Sequence, residues 1–137
     1  MAVAHGGDVL HVLGLEGIFH AVEVRETSPA ETRVILQAVR DASGADVPDP
    51  VLERLIELAD YYLSGTAQPG RTVGLLRRVI AATASSDSPL SERDILLTLS
   101  TSTGIPVDFL DDHVPLDRAQ VRAFFEARVM GQPEAVD

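Results

Sequence analysis

The chain has 137 residues, 45% of them apolar but only 4% aromatic, and a formal net charge of −10. That length holds one domain with a real core, built mainly of Leu, Val, Ile and Ala, a composition that suits helix-on-helix packing. All 11 basic residues are arginine, which excludes a P-loop lysine on nucleotide phosphates and lysine Schiff-base chemistry within these residues.

The acidity argues against nucleic acid as a partner, since phosphate contacts need clustered positive charge. The lack of cysteine leaves no disulfide or thiolate metal site and points to a cytoplasmic protein. No apolar run approaches the roughly 18 residues of a membrane span, so no membrane is expected as a partner. Residues 1–7 carry neither the basic start nor the apolar stretch of a signal peptide.

In chain order, residues 9–15 are apolar but interrupted by Gly14, which predicts a weak helix or an irregular approach. Residues 19–25 (Phe-His-Ala-Val-Glu-Val-Arg) alternate apolar and polar, a strand pattern. Ser28-Pro29-Ala30-Glu31 has the cap, proline and N3 acid of a helix start, and Gly44 ends that helix. Its expected inner face is Val34, Ile35, Ala38, Val39 and Ala42. Asp49-Pro50 opens a second helix with the stripe Val51, Leu52, Leu55, Ile56, Ala59 and Tyr62 or Leu63, with Glu53 and Glu57 outward. Gln68-Pro69-Gly70 leads into a third, with Val73, Leu76, Val79, Ile80 and Thr83 on one face. Residues 85–89 read as a polar turn. A fourth helix begins at Ser91-Glu92-Arg93-Asp94, runs through Ile95, Leu96 and Leu99, and ends at Gly104, where Pro106 cannot continue it. A fifth starts near Leu116-Asp117, uses Ala119, Val121, Phe124, Phe125 and Val129, and stops at Gly131. The expected fold is mainly α: a bundle of about five helices with one or two short β-strands.

Several segments, taken together and in order, resemble one family. They are Leu15-Glu16-Gly17-Ile18-Phe19, Val22-Glu23-Val24, Thr27-Ser28-Pro29-Ala30-Glu31-Thr32, Leu58-Ala59-Asp60-Tyr61-Tyr62-Leu63 with Gln68-Pro69-Gly70-Arg71-Thr72-Val73-Gly74-Leu75, and Thr103-Gly104-Ile105-Pro106-Val107. The end, Val129-Met130-Gly131-Gln132-Pro133-Glu134-Ala135-Val136, completes the series. Across residues 13–136 this is similar to the Clp-type AAA+ unfoldases, over the small helical lid of the first ATPase module and the linker to the second. The resemblance implies residues 1–25 as the end of the large subdomain or a lead-in, 26–103 as the lid, and 104–137 as a linker helix toward a second module. It implies ATP or ADP as ligand (with Mg in the whole protein), neighbouring AAA+ subunits of a hexamer and unfolded proteins as partners, and no catalysis by this stretch alone. The other expectation is a stand-alone helical adaptor derived from such a lid.

The same resemblance places Arg71 at a sensor-like position facing the nucleotide phosphates, where its fork of donors and a helix N-terminus suit an anion. The plain alternative is an exposed arginine at a helix start, where the helix dipole disfavours a cation. Pro69 and Gly70 would shape the wall beside base and ribose, or simply form the helix entry. Val129 and Met130 would form the adenine-side wall of the next module's site, or end as a tail. Arg77 and Arg78 would meet acidic surface on a neighbouring subunit, or face solvent. Where the family has two arginines acting on the next subunit's ATP, this chain has Gly17 and Ile18, which cannot stabilise charge in phosphoryl transfer. The first module of the parent is therefore expected to be weakly catalytic or degenerate, unless another arginine substitutes. Asp111-Asp112-His113 is not expected to hold a metal, because three adjacent residues rarely converge on one ion. His5, His11 and His20 have no acid or nucleophile at a catalytic spacing. No catalytic residue and no metal site is assigned.

Overall fold

A computed structural model describes residues 24–86, 88–115, 117–126 and 128. Among these the protein is helical throughout: α1 Pro29–Ser43, α2 Asp49–Tyr62, α3 Gly70–Ala82, α4 Glu92–Thr103, α5 Val107–Leu110 and α6 Arg118–Glu126. No strand occurs among the described residues. Of the strand expected over 19–25, only Val24 and Arg25 are described and they are not in a strand; the rest, like the apolar segment 9–15, lies outside the described residues.

The helix starts follow the local chemistry. At α1 the Glu31 amide donates to Ser28 Oγ (3.3 Å), and the Ser28 amide donates back to Glu31 Oε2 (2.8 Å), with Pro29 at the first helical position. Two orphan amides are satisfied at once. At α4 both the amide and the hydroxyl of Ser91 donate to Asp94, at 2.9 and 2.6 Å. Gly44 and Gly104 end α1 and α4 with φ of +67° and +74°, a left-handed conformation that costs any other residue.

α2 and α3 are the central pair. α1 packs against both on one flank and α4 against both on the other, with α5 against α4. The core is aliphatic: Leu36, Leu52, Leu55, Leu75, Leu76, Val79, Ile95, Leu99 and Leu110 are fully buried. Burying each such side chain stabilises by roughly 1.5–3 kcal/mol, an upper range set by the extended reference chain. Polar ties close the ends. Arg40 donates to Asp49 (2.7 Å) and to the Val47 carbonyl (3.3 Å), joining α1 to the head of α2. Arg54 joins α2 to Glu92 on α4 and to Asp112 beyond α5.

Three expectations need correction. The inner face of α1 is centred on Thr32 and Leu36, and of the expected stripe Val39 packs against the core while Val34 is 64% exposed. The inner face of α3 is Thr72, Leu75, Leu76 and Val79, leaving Val73, Ile80 and Thr83 only half-buried. Both helices are apolar over more than one face, so spacing alone misplaces the centre of the buried stripe, although Leu76 and Val79 are in the core as expected and Val39, Val73 and Ile80 pack against its edge. The third correction is α5, a single turn after Pro106. Proline cannot continue α4, but its fixed φ suits a new helix start, and that turn buries Leu110 against α4. α6 begins at Arg118 and has no buried residue; Phe124 stacks edge-on against Phe109 at 5.2 Å between ring centroids.

Candidate functional site

Of the residues read as ligand-binding in the sequence, Pro69, Gly70 and Arg71 lie at the head of α3. The chain leaves α2 at Leu63, turns through Ser64 to Ala67, and re-enters a helix at Gly70. Gln68 is buried at this turn and organises it. Its Nε2 donates to Asp60 Oδ1 (2.7 Å), and its Oε1 accepts from the hydroxyl of buried Thr72 (2.7 Å). Its backbone carbonyl accepts from the Thr27 amide at 3.5 Å, which brings the lead-in to α1 against the head of α3. The Gln68–Pro69 peptide is cis.

Arg71 sits on this platform. Its Nη1 donates to the Leu63 carbonyl at 3.0 Å, so it caps the end of α2. Nη2 lies 3.5 Å from Glu26 and Nη1 3.8 Å from Asp60. A cation in the first turn of a helix is disfavoured by the dipole. Here a carbonyl and two carboxylates offset that cost, and the side chain is only 15% exposed. Nε is buried without a hydrogen-bond partner among the described residues. A buried donor without an acceptor costs about 1–3 kcal/mol.

This arrangement can take an anion, on a condition. Arg71 presents a guanidinium at a helix N-terminus, which favours phosphate, whereas its buried Nε is out of a ligand's reach. Its two carboxylate neighbours already over-neutralise it. An incoming phosphate has to displace Glu26, whose contact is long and whose side chain is 57% exposed. Pro69 is half-buried and Gly70 exposed beside Arg71, so both face the approach to the turn. A Cβ at Gly70 would meet only the Thr66 methyl at 3.5 Å, an ordinary contact, so close approach within the fold does not demand this glycine. Val129 and Met130 lie outside the described residues, as do Gly17 and Ile18.

Arg77 and Arg78 are both exposed on α3; Arg78 reaches the Ser102 hydroxyl at 3.3 Å. The Asp111-Asp112-His113 carboxylates have local duties. Asp111 accepts from the His113 amide (2.9 Å) and Asp112 accepts from Arg54 (2.6 Å). Among the described residues no group of three or more potential metal ligands gathers.

Glu26, Asp60 and Gln68 were missed as parts of the Arg71 site. Glu26 lies 45 residues away in sequence, and no local pattern signals that pairing. Asp60 was one turn from the end of a predicted helix, within reach of the next helix start, and that signal was legible.

No protein-family model matches the sequence, and no curated protein matches it significantly. No helix among the described residues is long and apolar enough to cross a membrane.

Proposed function

We propose that this chain is the small helical lid of the first ATPase module of a Clp-type AAA+ unfoldase, with the linker toward a second module. The supporting observation is positional. Among the described residues, segments that resemble the family fall on element boundaries: Ser28-Pro29 at the start of α1, Gln68-Pro69-Gly70-Arg71 at the start of α3, and Gly104-Ile105-Pro106 between α4 and α5. Such segments set chain direction, and they are where a shared architecture leaves its mark in sequence.

In this reading Arg71 senses the phosphates of ATP or ADP held by a large subdomain, with Pro69 and Gly70 beside the nucleotide. Phosphate displaces Glu26 from Arg71 and so loosens the tie between α3 and the lead-in to α1. The lid thereby passes the nucleotide state to the next cytoplasmic subunit of a hexamer that unfolds proteins. The lid alone does not hydrolyse ATP, for want of a P-loop lysine.

Two measurements test this. The coding sequence on either side of these 137 residues should hold a glycine-rich loop with lysine, in frame, on both sides. Stop and start codons bounding the chain without such loops contradict the reading and favour a stand-alone adaptor. A phosphate-release assay on the chain should show no ATP turnover; sustained turnover abolished by Arg71→Ala would overturn the assignment.

A further inference from the structure

Beside the buried stripe, the half-buried and exposed apolar residues of α1 and α3 come together. Both helices start at the same end of the fold, joined there by Thr27 and Gln68, and run alongside each other. Between their C-terminal halves lies an open groove of about 570 Å³. It is lined by Ile35, Ala38 and Val39 of α1 and by Ile80, Ala81 and Arg77 of α3, with small residues at its far end. Arg77 is the one cation in the lining, and it is exposed.

We propose that residues 9–19 of the same chain dock in this groove, with Glu16 on Arg77. Three observations select this occupant. Seven of its 11 residues are apolar (Val9, Leu10, Val12, Leu13, Leu15, Ile18 and Phe19), and Glu16 is its only formal charge. One acid in an apolar segment matches one cation in an apolar groove. The lengths also match. The described chain begins at Val24, three residues before Thr27, whose amide meets the Gln68 carbonyl at the heads of α1 and α3, and the groove begins at Ile35, about 10 Å along α1 from its cap. Residues 20–23 span up to about 13 Å when extended, enough to return the segment to the groove. Residues 9–19 would then cover the roughly 11 Å from Ile35 to Ala42. Finally, docking is intramolecular, so it proceeds at the high effective concentration of a short tether. A second copy would bring another ten negative charges to the same face.

This inference does not depend on Arg71 or on nucleotide. It gives the apolar lead-in a place on the bundle, and it occupies a face that would otherwise be open to association.

The test uses paramagnetic broadening. Because the chain has no cysteine, Ala84→Cys takes a single nitroxide at the groove. The amide signals of residues 9–19 should lose intensity in the labelled chain. They should recover it when exposed Ala81 is changed to Arg, with helical content unchanged. Arg77→Glu should also restore the signals, and Arg77→Glu with Glu16→Arg should broaden them again, which a merely structural role for either residue would not do. Unbroadened signals for 9–19 in a folded, labelled chain overturn the proposal. So does broadening that appears when isotope-labelled chains without nitroxide are mixed with nitroxide-labelled, unenriched chains, because a second copy is then the occupant.

Discussion

Replacing Arg54 with methionine keeps the aliphatic stem and removes the charge that ties three elements together. Its Nε reaches Glu92 at 2.7 Å, Nη2 reaches Asp112 at 2.6 Å and Nη1 reaches Glu57 at 3.1 Å. Hydrogen bonds to the Asp112 and Glu92 carboxylates, in that order, push the Arg54 pKa further above its ordinary value. A shielded charge-assisted hydrogen bond contributes about 1.5–3 kcal/mol, but these carboxylates are not equally shielded. Glu57 and Asp112 are 67% and 69% exposed, Glu92 only 35%. The two exposed pairs contribute a few tenths of a kcal/mol each, and the Glu92 pair about 1 kcal/mol. The sum predicts a loss of about 1.5–2 kcal/mol in urea unfolding followed by circular dichroism. At about 1 M salt, where the screening length is near 3 Å, the difference should fall to less than half. A variant within about 0.3 kcal/mol of the wild type at low salt would refute the claim that this arginine staples α4 and the segment after α5 to α2.

Other outcomes follow from the same structure. Leu75→Ala, at a fully buried position on α3, should cost about 2–5 kcal/mol in the same assay, whereas Val34→Ala, at an exposed position of α1, should stay within about 0.5 kcal/mol. Gly104→Ala meets no neighbour but forces a side chain onto φ +74°, and should cost about 1–2 kcal/mol with the unfolding slope unchanged. Hydrogen bonds from the Ser28 hydroxyl and then its amide hold the Glu31 pKa below its ordinary value of 4.5. A depressed carboxyl pKa stabilises the fold above the ordinary value, and that stability is lost as pH falls through the folded-state value. The urea midpoints of wild type and Glu31→Ala should therefore differ near pH 7 and converge near pH 3; a constant gap would contradict the capping-box account.

Helix existence was legible because the punctuation is strong. Ser28-Pro29, Ser91 with Asp94, Gly44 and Gly104 each carry a cap whose chemistry is local, whereas at Asp49-Pro50 the cap position is Pro48, and Asp49, the first helical residue, pairs with Arg40. The inner faces were legible only where one stripe dominates. α2 and α4 bury Leu52, Leu55, Ile56 and Ala59, and Ile95, Leu96 and Leu99, as their spacing predicts. In α1 and α3 two apolar faces compete, and Thr32 and Thr72 win places in the core through hydrogen bonds to Thr27 and Gln68. A threonine scores as polar in any pattern, so the partner that makes its burial affordable has to be known first. Arg71 was identifiable as a cation at an unfavourable helix end. What resolves the conflict, a carbonyl from α2 and an acid from the lead-in to α1, is tertiary and leaves no trace in spacing.

The most direct test of the proposed nucleotide-sensing role is an amide-resolved NMR titration of the chain with ATP. Saturable shifts are expected at Gly70, Arg71 and Thr72, at millimolar ligand for about 4 kcal/mol of binding. The shifts should vanish in Arg71→Ala and saturate at lower ATP in Glu26→Gln, which removes the competing carboxylate. No shift at the head of α3, or shifts that persist in Arg71→Ala, would contradict it.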